Sequence, residues 1–73
     1  MSGDSIEMEG TVVRQCRGDF YEVHCEFGAS RQTVLCKRSG RLNTHHIRVM
    51  AGDRVRVEVG IYDTTRGRIT RRL

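Results

Sequence analysis

Seventy-three residues carrying a net charge of +4, with no Pro and no Trp, suffice for one small domain, which buries only about 60% of the surface its unfolded chain exposes. With Phe20, Tyr21, Phe27 and Tyr62 as the only aromatics, the core has to come from Val, Ile, Leu and Met, and a deep substrate pocket is excluded. No apolar run approaches the roughly 20 residues that span a bilayer, and the acidic first 10 residues lack a basic flank, so neither a membrane span nor a secretion signal is expected.

Taken in chain order, the pattern is period-two alternation, which separates a core row of side chains from an exposed row along a strand. Residues 1–4 read as a flexible tail. Ile6, Met8, Gly10 and Val12 then alternate with Glu7, Glu9 and Thr11, and Arg17-Gly18-Asp19 supplies turn chemistry. Tyr21, Val23, Cys25 and Phe27 alternate with Glu22, His24 and Glu26 as far as Gly28-Ala29-Ser30, and a third strand follows over 31–37. Alternation lapses over 38–46, where Ser39 is placed to cap one or two helical turns that include Leu42. After a turn at Ala51-Gly52-Asp53, Val55, Val57 and Val59 face inward against outward Arg56 and Glu58, the clearest strand in the chain. A turn over 63–67 leads to a last strand over 68–72, with Ile69 as its apolar residue.

Three strands, a short helical connector and two more strands give an all-β chain in the order of the five-stranded OB-fold barrel, a single domain spanning 1–73. An SH3-like or Sm-like barrel is the alternative, since its strand count is similar. Barrel closure also protects strand edges from pairing with other chains.

Charge divides the chain. Residues 1–30 hold two arginines against six acids, a net −4, whereas residues 31–73 hold eleven Lys and Arg against three acids, a net +8. Such a dipole suits one face to a polyanion. The basic residues group as Lys37, Arg38 and Arg41 with Arg48; as Arg66 and Arg68 either side of Gly67; and as Arg71-Arg72. Arginine offers planar bidentate donors to phosphate and stacks on bases. With no long helix to enter a DNA groove, structured RNA is the expected target. Tyr62 is the expected exposed aromatic, while Tyr21 and Phe27 share the apolar row and are expected in the core. His45 and His46 are expected to be exposed and available to RNA.

Enzymatic chemistry is not expected. His24 and Cys25 are adjacent, but neighbours on a strand point to opposite faces and do not share a proton readily. Metal and cofactor binding are not expected either: three His and three Cys are present, but no C-x-x-C or H-x-x-x-H spacing. Cys16, Cys25 and Cys36 are odd in number and widely spaced, which reads as reduced thiols and a cytoplasmic protein.

Three segments resemble bacterial translation initiation factor one: Ser5-Ile6-Glu7-Met8-Glu9-Gly10-Thr11-Val12-Val13, the stretch from Ile47 to Val59, and Tyr62-Asp63-Thr64-Thr65-Arg66-Gly67-Arg68-Ile69. Their order and the chain length make the resemblance specific. It implies an OB-fold factor, monomeric and non-catalytic, that occupies the A site of the small ribosomal subunit. There it contacts rRNA and a neighbouring ribosomal protein, blocks premature tRNA entry and supports the other initiation factors. By matching positions, the resemblance implies RNA contacts at Arg41, Arg48, Tyr62, Arg66 and Arg68. Lys37, Arg38, His46, Arg71 and Arg72 join them on charge or hydrogen-bonding capacity. The segment 29–40 is longer than is usual in the family, and Asn43, Thr44 and His46 replace its typical basic and aromatic residues. Lys37 and Arg38 are placed to compensate, and a specialised paralogue fits this departure. Outside the family reading stand a cold-shock-like RNA chaperone, which would need several exposed stacking rings, and a basic barrel that docks on an acidic protein.

Overall fold

A computed structural model describes residues 5–40 and 48–73. Among them five strands form a closed barrel: β1 (Ser5–Gln15), β2 (Phe20–Phe27), β3 (Ser30–Arg38), β4 (Arg54–Gly60) and β5 (Asp63–Arg72). The order around the barrel is β1-β2-β3-β5-β4, with β4 returning to β1. Every pairing is antiparallel except that of β3 with β5, which is parallel. The expected all-β, five-stranded barrel is present. The tail over 1–4 and nearly all of the helical connector, from residue 41 to 47, lie outside the described residues. The helical turn that is described is a 3-10 turn at Arg17–Asp19, joining β1 to β2 through Gly18 (φ 69°) and Asp19 (φ 64°). An Asp tolerates this left-handed conformation better than most residues do.

The alternation places the core as expected. Met8, Val12, Tyr21, Val23, Cys25, Val34, Cys36, Val55, Val57, Val59 and Ile69 are buried, joined by Val49 from the segment ahead of β4, and Ile6 packs against them. Long β1 serves two neighbours at once: Gly10 is opposite Cys25 on β2 and Val55 on β4. The chain reaches β4 through a turn in which the Asp53 carboxylate accepts the Met50 N–H at 2.9 Å. The Gly52 N–H donates to the Val12 carbonyl at 2.7 Å, docking that turn on β1.

Two glycines mark where strands crowd. A Cβ on Gly67 would stand 2.7 Å from the Glu58 carbonyl oxygen and 2.7 Å from Val59 Cγ1, and one on Gly10 would collide with the His24 carbonyl. Real Cβ atoms do not approach this closely, so the barrel closes as tightly as it does because these side chains are absent.

Two expectations are corrected. Phe27 is not in the core but 55% exposed, because β2 ends there in a two-residue hairpin, Gly28-Ala29, that carries it past the barrel wall. The turn expected over 63–67 is instead the beginning of β5. Gly60 pairs directly with Asp63, leaving Ile61-Tyr62 as the hairpin loop. The next pair along is Val59 with Gly67, so Thr64, Thr65 and Arg66 are extra residues relative to β4. They swing toward β3 instead, where Arg66 is opposite Leu35 and the Gln32 side-chain amide donates to the Thr64 carbonyl. The β-branched threonines and the Asp63 carboxylate, which accepts the Thr65 N–H at 3.0 Å, favour this extended, bulged start.

All three cysteines are free thiols. Burial pushes the Cys25 thiol up to about 11 and the Cys36 thiol up to about 12 from 9.0. Folding therefore favours the protonated thiols, and that contribution is complete below pH 9 and fades as pH climbs toward the folded values. The unfolding free energy, from urea titrations at stepped pH, is expected to fall more steeply between pH 9 and 11 in the parent than in Cys36→Ala. Val57→Ala is expected to lower stability by about 1 to 3 kcal/mol through lost core methyl groups, read as a lower urea midpoint. Gly67→Ala is expected to lower it too, although alanine is the better strand former.

Candidate nucleic-acid interface

The parallel seam between β3 and β5 brings together basic residues that lie some thirty positions apart in the chain. Its register sets Lys37 opposite Arg68, Leu35 opposite Arg66 and Arg38 opposite Ile69. Neighbouring strands lie about 4.8 Å apart, so the exposed Lys37 and Arg68 side chains leave the sheet from adjacent positions. The Lys37 ammonium sits over the Phe20 ring, 4.9 Å from its centre, a contact that tethers a flexible cation without neutralising it.

At the far end of β5 a second irregularity re-aims the arginines. Ile69 pairs with Val57 but Arg71 pairs with Arg56, which leaves Thr70 as a bulge. Strict alternation would point Arg71 inward; the bulge turns it outward beside Arg56. Arg72, opposite the inward-facing Val55, reaches the barrel end and donates from Nη1 to the Arg48 carbonyl at 3.1 Å. Arg38 and Arg48 line one shallow depression there with Gln15, Tyr21, Val49 and Met50. Arg38 and Lys37 line another with Gly18 and Asp19 of the β1–β2 turn. Tyr62, 87% exposed, stands at the β4–β5 hairpin tip. A stripe thus follows β5 from Tyr62 through Arg66, Arg68 and Lys37 to Arg38, Arg48 and Arg72, with Arg71 on its β4 flank. Arg41 and His46, expected with them, lie outside the described residues.

Three arginines off the stripe, Arg14, Arg54 and Arg56, are engaged elsewhere, whereas Arg17 and Arg31 form no ion pair among the described residues. Arg54 lies 3.6 Å from Glu9 and 3.4 Å from Glu26, Arg56 lies 3.3 Å from Glu9, and Arg14 bonds Glu22 at 2.8 Å. Glu9 and Glu26 are register partners on β1 and β2, and this like-charged pair is relieved by arginines from β4. On the stripe, Arg68 has a carboxylate in ion-pair range, Glu58 at 2.7 Å. Lys37, Arg48, Arg66, Arg71 and Arg72 have none among the described residues. Glu9, Glu22 and Glu26 of the acidic half thus spend their charge on arginines of β1 and β4, away from the β5 stripe.

Sequence reasoning missed Arg17, which the 3-10 turn carries next to the depression shared by Lys37 and Arg38, and also the Phe20 ring beneath Lys37. The Lys37–Phe20 contact depends on the register of β2 with β3, and the place of Arg17 on where the β1–β2 turn lies beside the end of β3, neither of which a local pattern announces. His24 is exposed while Cys25 is buried on the other face, so the two form no thiol–base pair. Among the described residues no three His, Cys, Asp or Glu side chains converge to hold a metal ion, and no helix is long and apolar enough to cross a membrane.

This five-stranded barrel, with a basic stripe along its last strand, is an OB-fold domain with the electrostatics of a nucleic-acid binder. No protein-family model matches the chain. Among solved structures it is similar to translation initiation factor one from the Wolbachia endosymbiont strain TRS of Brugia malayi, with a TM-score of 0.75 and 35% identity, covering 99% of this chain and 82% of that one. It is also similar to part of YjeQ from Thermotoga maritima, with a TM-score of 0.73 and 25% identity, covering 93% of this chain but 23% of that one. On the first of these likenesses the chain belongs to the translation initiation factor one family.

Ion pairing separates the arginines experimentally. Arg66→Ala is expected to elute from immobilised heparin at clearly lower salt than the parent, and Arg54→Ala, which removes an equal charge already held by two glutamates, is expected to shift elution far less.

Proposed function

We propose that the chain is a cytoplasmic translation initiation factor that binds rRNA at the A site of the small ribosomal subunit. It blocks premature tRNA entry there and supports the other initiation factors. It acts as a monomer and by occupancy, not catalysis. The observation that carries this reading is the stripe along β5, positive and largely unopposed, in a chain of this family. A row of arginines on a rigid strand suits fixed phosphates of a folded RNA, because the backbone spacing is set before binding and only side chains remain to be ordered. Arg66, Arg68, Lys37, Arg38, Arg48, Arg71 and Arg72 are the phosphate contacts in this reading, with Tyr62 stacking at the tip. Arg41 and His46 extend the contact from the connector. A neighbouring ribosomal protein completes the footprint.

The exposure of Phe27 as well as Tyr62 favours a second reading, a general RNA-binding protein of cold-shock type, since each ring offers a surface on which bases stack without regard to sequence.

Binding of labelled protein to purified small subunits over a salt series, with an unstructured RNA as competitor, separates the two. The initiation-factor reading expects one saturable site that resists the competitor and weakens with salt. Arg66→Ala and Arg68→Ala are expected to weaken it and to lower the salt slope by about 1 each, with melting temperatures near the parent's because exposed charges contribute little to stability. Full displacement by the unstructured RNA would favour the general binder.

A further inference from the structure

One outward row of side chains crosses four strands. Lys37 on β3 is the register partner of Arg68 on β5, Arg68 of Glu58 on β4, and Glu58 of Glu7 on β1. The row therefore reads plus, plus, minus, minus. Like charges opposite one another repel, and the side chains have separated accordingly. Lys37 leans toward β2, onto the Phe20 ring. Arg68 leans toward β4, where its Nη2 donates to Glu58 Oε1 at 2.7 Å. Glu7, across from Glu58, makes no ion pair among the described residues and adds to the push on Glu58 toward Arg68. The two cations at the centre of the stripe are thus held apart, one by a ring and one by a carboxylate.

We infer that Glu58 is a specificity-determining residue: it restrains Arg68 from loose polyanions and yields it to a phosphate that Lys37 engages at the same time. This rests on the RNA-binding reading above and deepens it. A phosphate that approaches Arg68 alone either displaces Glu58 or sits within a few ångströms of its carboxylate, and both outcomes weaken the contact. A phosphate held by a folded RNA over the β3–β5 seam meets both cations together, and the second charge offsets the lost pair. A mobile single strand has to be ordered to gain the same arrangement. Arg68 is 59% and Glu58 27% exposed, so the pair is weak enough to open and contributes little to folding.

Four proteins test this: the parent, Glu58→Gln, Arg68→Ala and the double variant. Each is titrated with poly(U) and, separately, with purified small subunits at one fixed low salt, after melting curves establish that all four are folded. Glu58→Gln keeps the side-chain shape and removes the charge. It is expected to bind poly(U) about three- to fivefold tighter, with a smaller gain on the subunit and hence poorer discrimination. In the Arg68→Ala background the poly(U) gain is expected to vanish. An equal gain in that background would mean that Glu58 acts through net charge alone and would overturn the inference, as would weaker poly(U) binding, which would make Glu58 a residue that positions Arg68 for RNA. An equal gain on poly(U) and on the subunit would also overturn the inference, since Glu58 would then not discriminate. A parent with no saturable site on the subunit would remove the initiation-factor reading, while loss of the poly(U) gain in the Arg68→Ala background would still show that Glu58 restrains Arg68.

Discussion

The parallel pairing of β3 with β5 is the constraint on which the rest of this molecule depends. Among the described strands it is the one parallel contact in an otherwise antiparallel barrel, and with the β1–β4 pairing it joins the two halves of the chain. For β5 to fit between β3 and β4, its backbone has to pass so close to β4 that position 67 tolerates no side chain. The extra residues 64–66 are what let β5 leave β4 for β3 at its beginning, and the bulge at Thr70 adjusts its phase at the end. Each irregularity has a consequence at the surface, because it decides which arginines face outward and beside what. The basic stripe is a product of barrel closure as much as of composition.

Charge is distributed by the same geometry. The alternating strands β1 and β2 carry their glutamates on outward rows, and β4 sets Arg54 and Arg56 across from them. Because β4 lies beside β5, its Glu58 reaches Arg68 of the stripe, and Asp63 at the start of β5 lies near enough to Arg66 to feel its charge. A net charge of +4 is modest, yet among the described residues most of the unneutralised positive charge lies on one side. Local density of charge, more than the total, governs attraction to a polyanion.

Much of this was legible in the sequence. Val55, Val57 and Val59 alternating with Arg56 and Glu58 set the orientation of β4, and the similar rows in β1 and β2 announced a meander, because burial on one face leaves a period of two. Phe27 misled because the pattern records which face a residue takes and not how far the wall beside it extends. The beginning of β5 was hidden because Asp, Thr and Gly are common in turns, and a bulged strand uses the same residues to bend. The grouping of Arg66 with Arg68 could be read from their spacing. The pairing of Arg68 with Glu58 and the Lys37–Phe20 contact could not, since each joins residues on different strands and depends on register. Composition indicated an excess of positive charge; only the fold shows along which strand it is arrayed.

Closure of the barrel also sets an order of events in the life of the chain. β1 finds its second neighbour only in β4, where Ser5 pairs with Gly60, and β3 waits for a strand that ends at Arg72. During synthesis the meander of the first three strands emerges with two sides open. The strand that seals it is the last of the five to be made, and it is the same strand that carries the arginine stripe. A nascent chain therefore has neither a closed barrel nor a complete arginine stripe until its fifth strand has emerged.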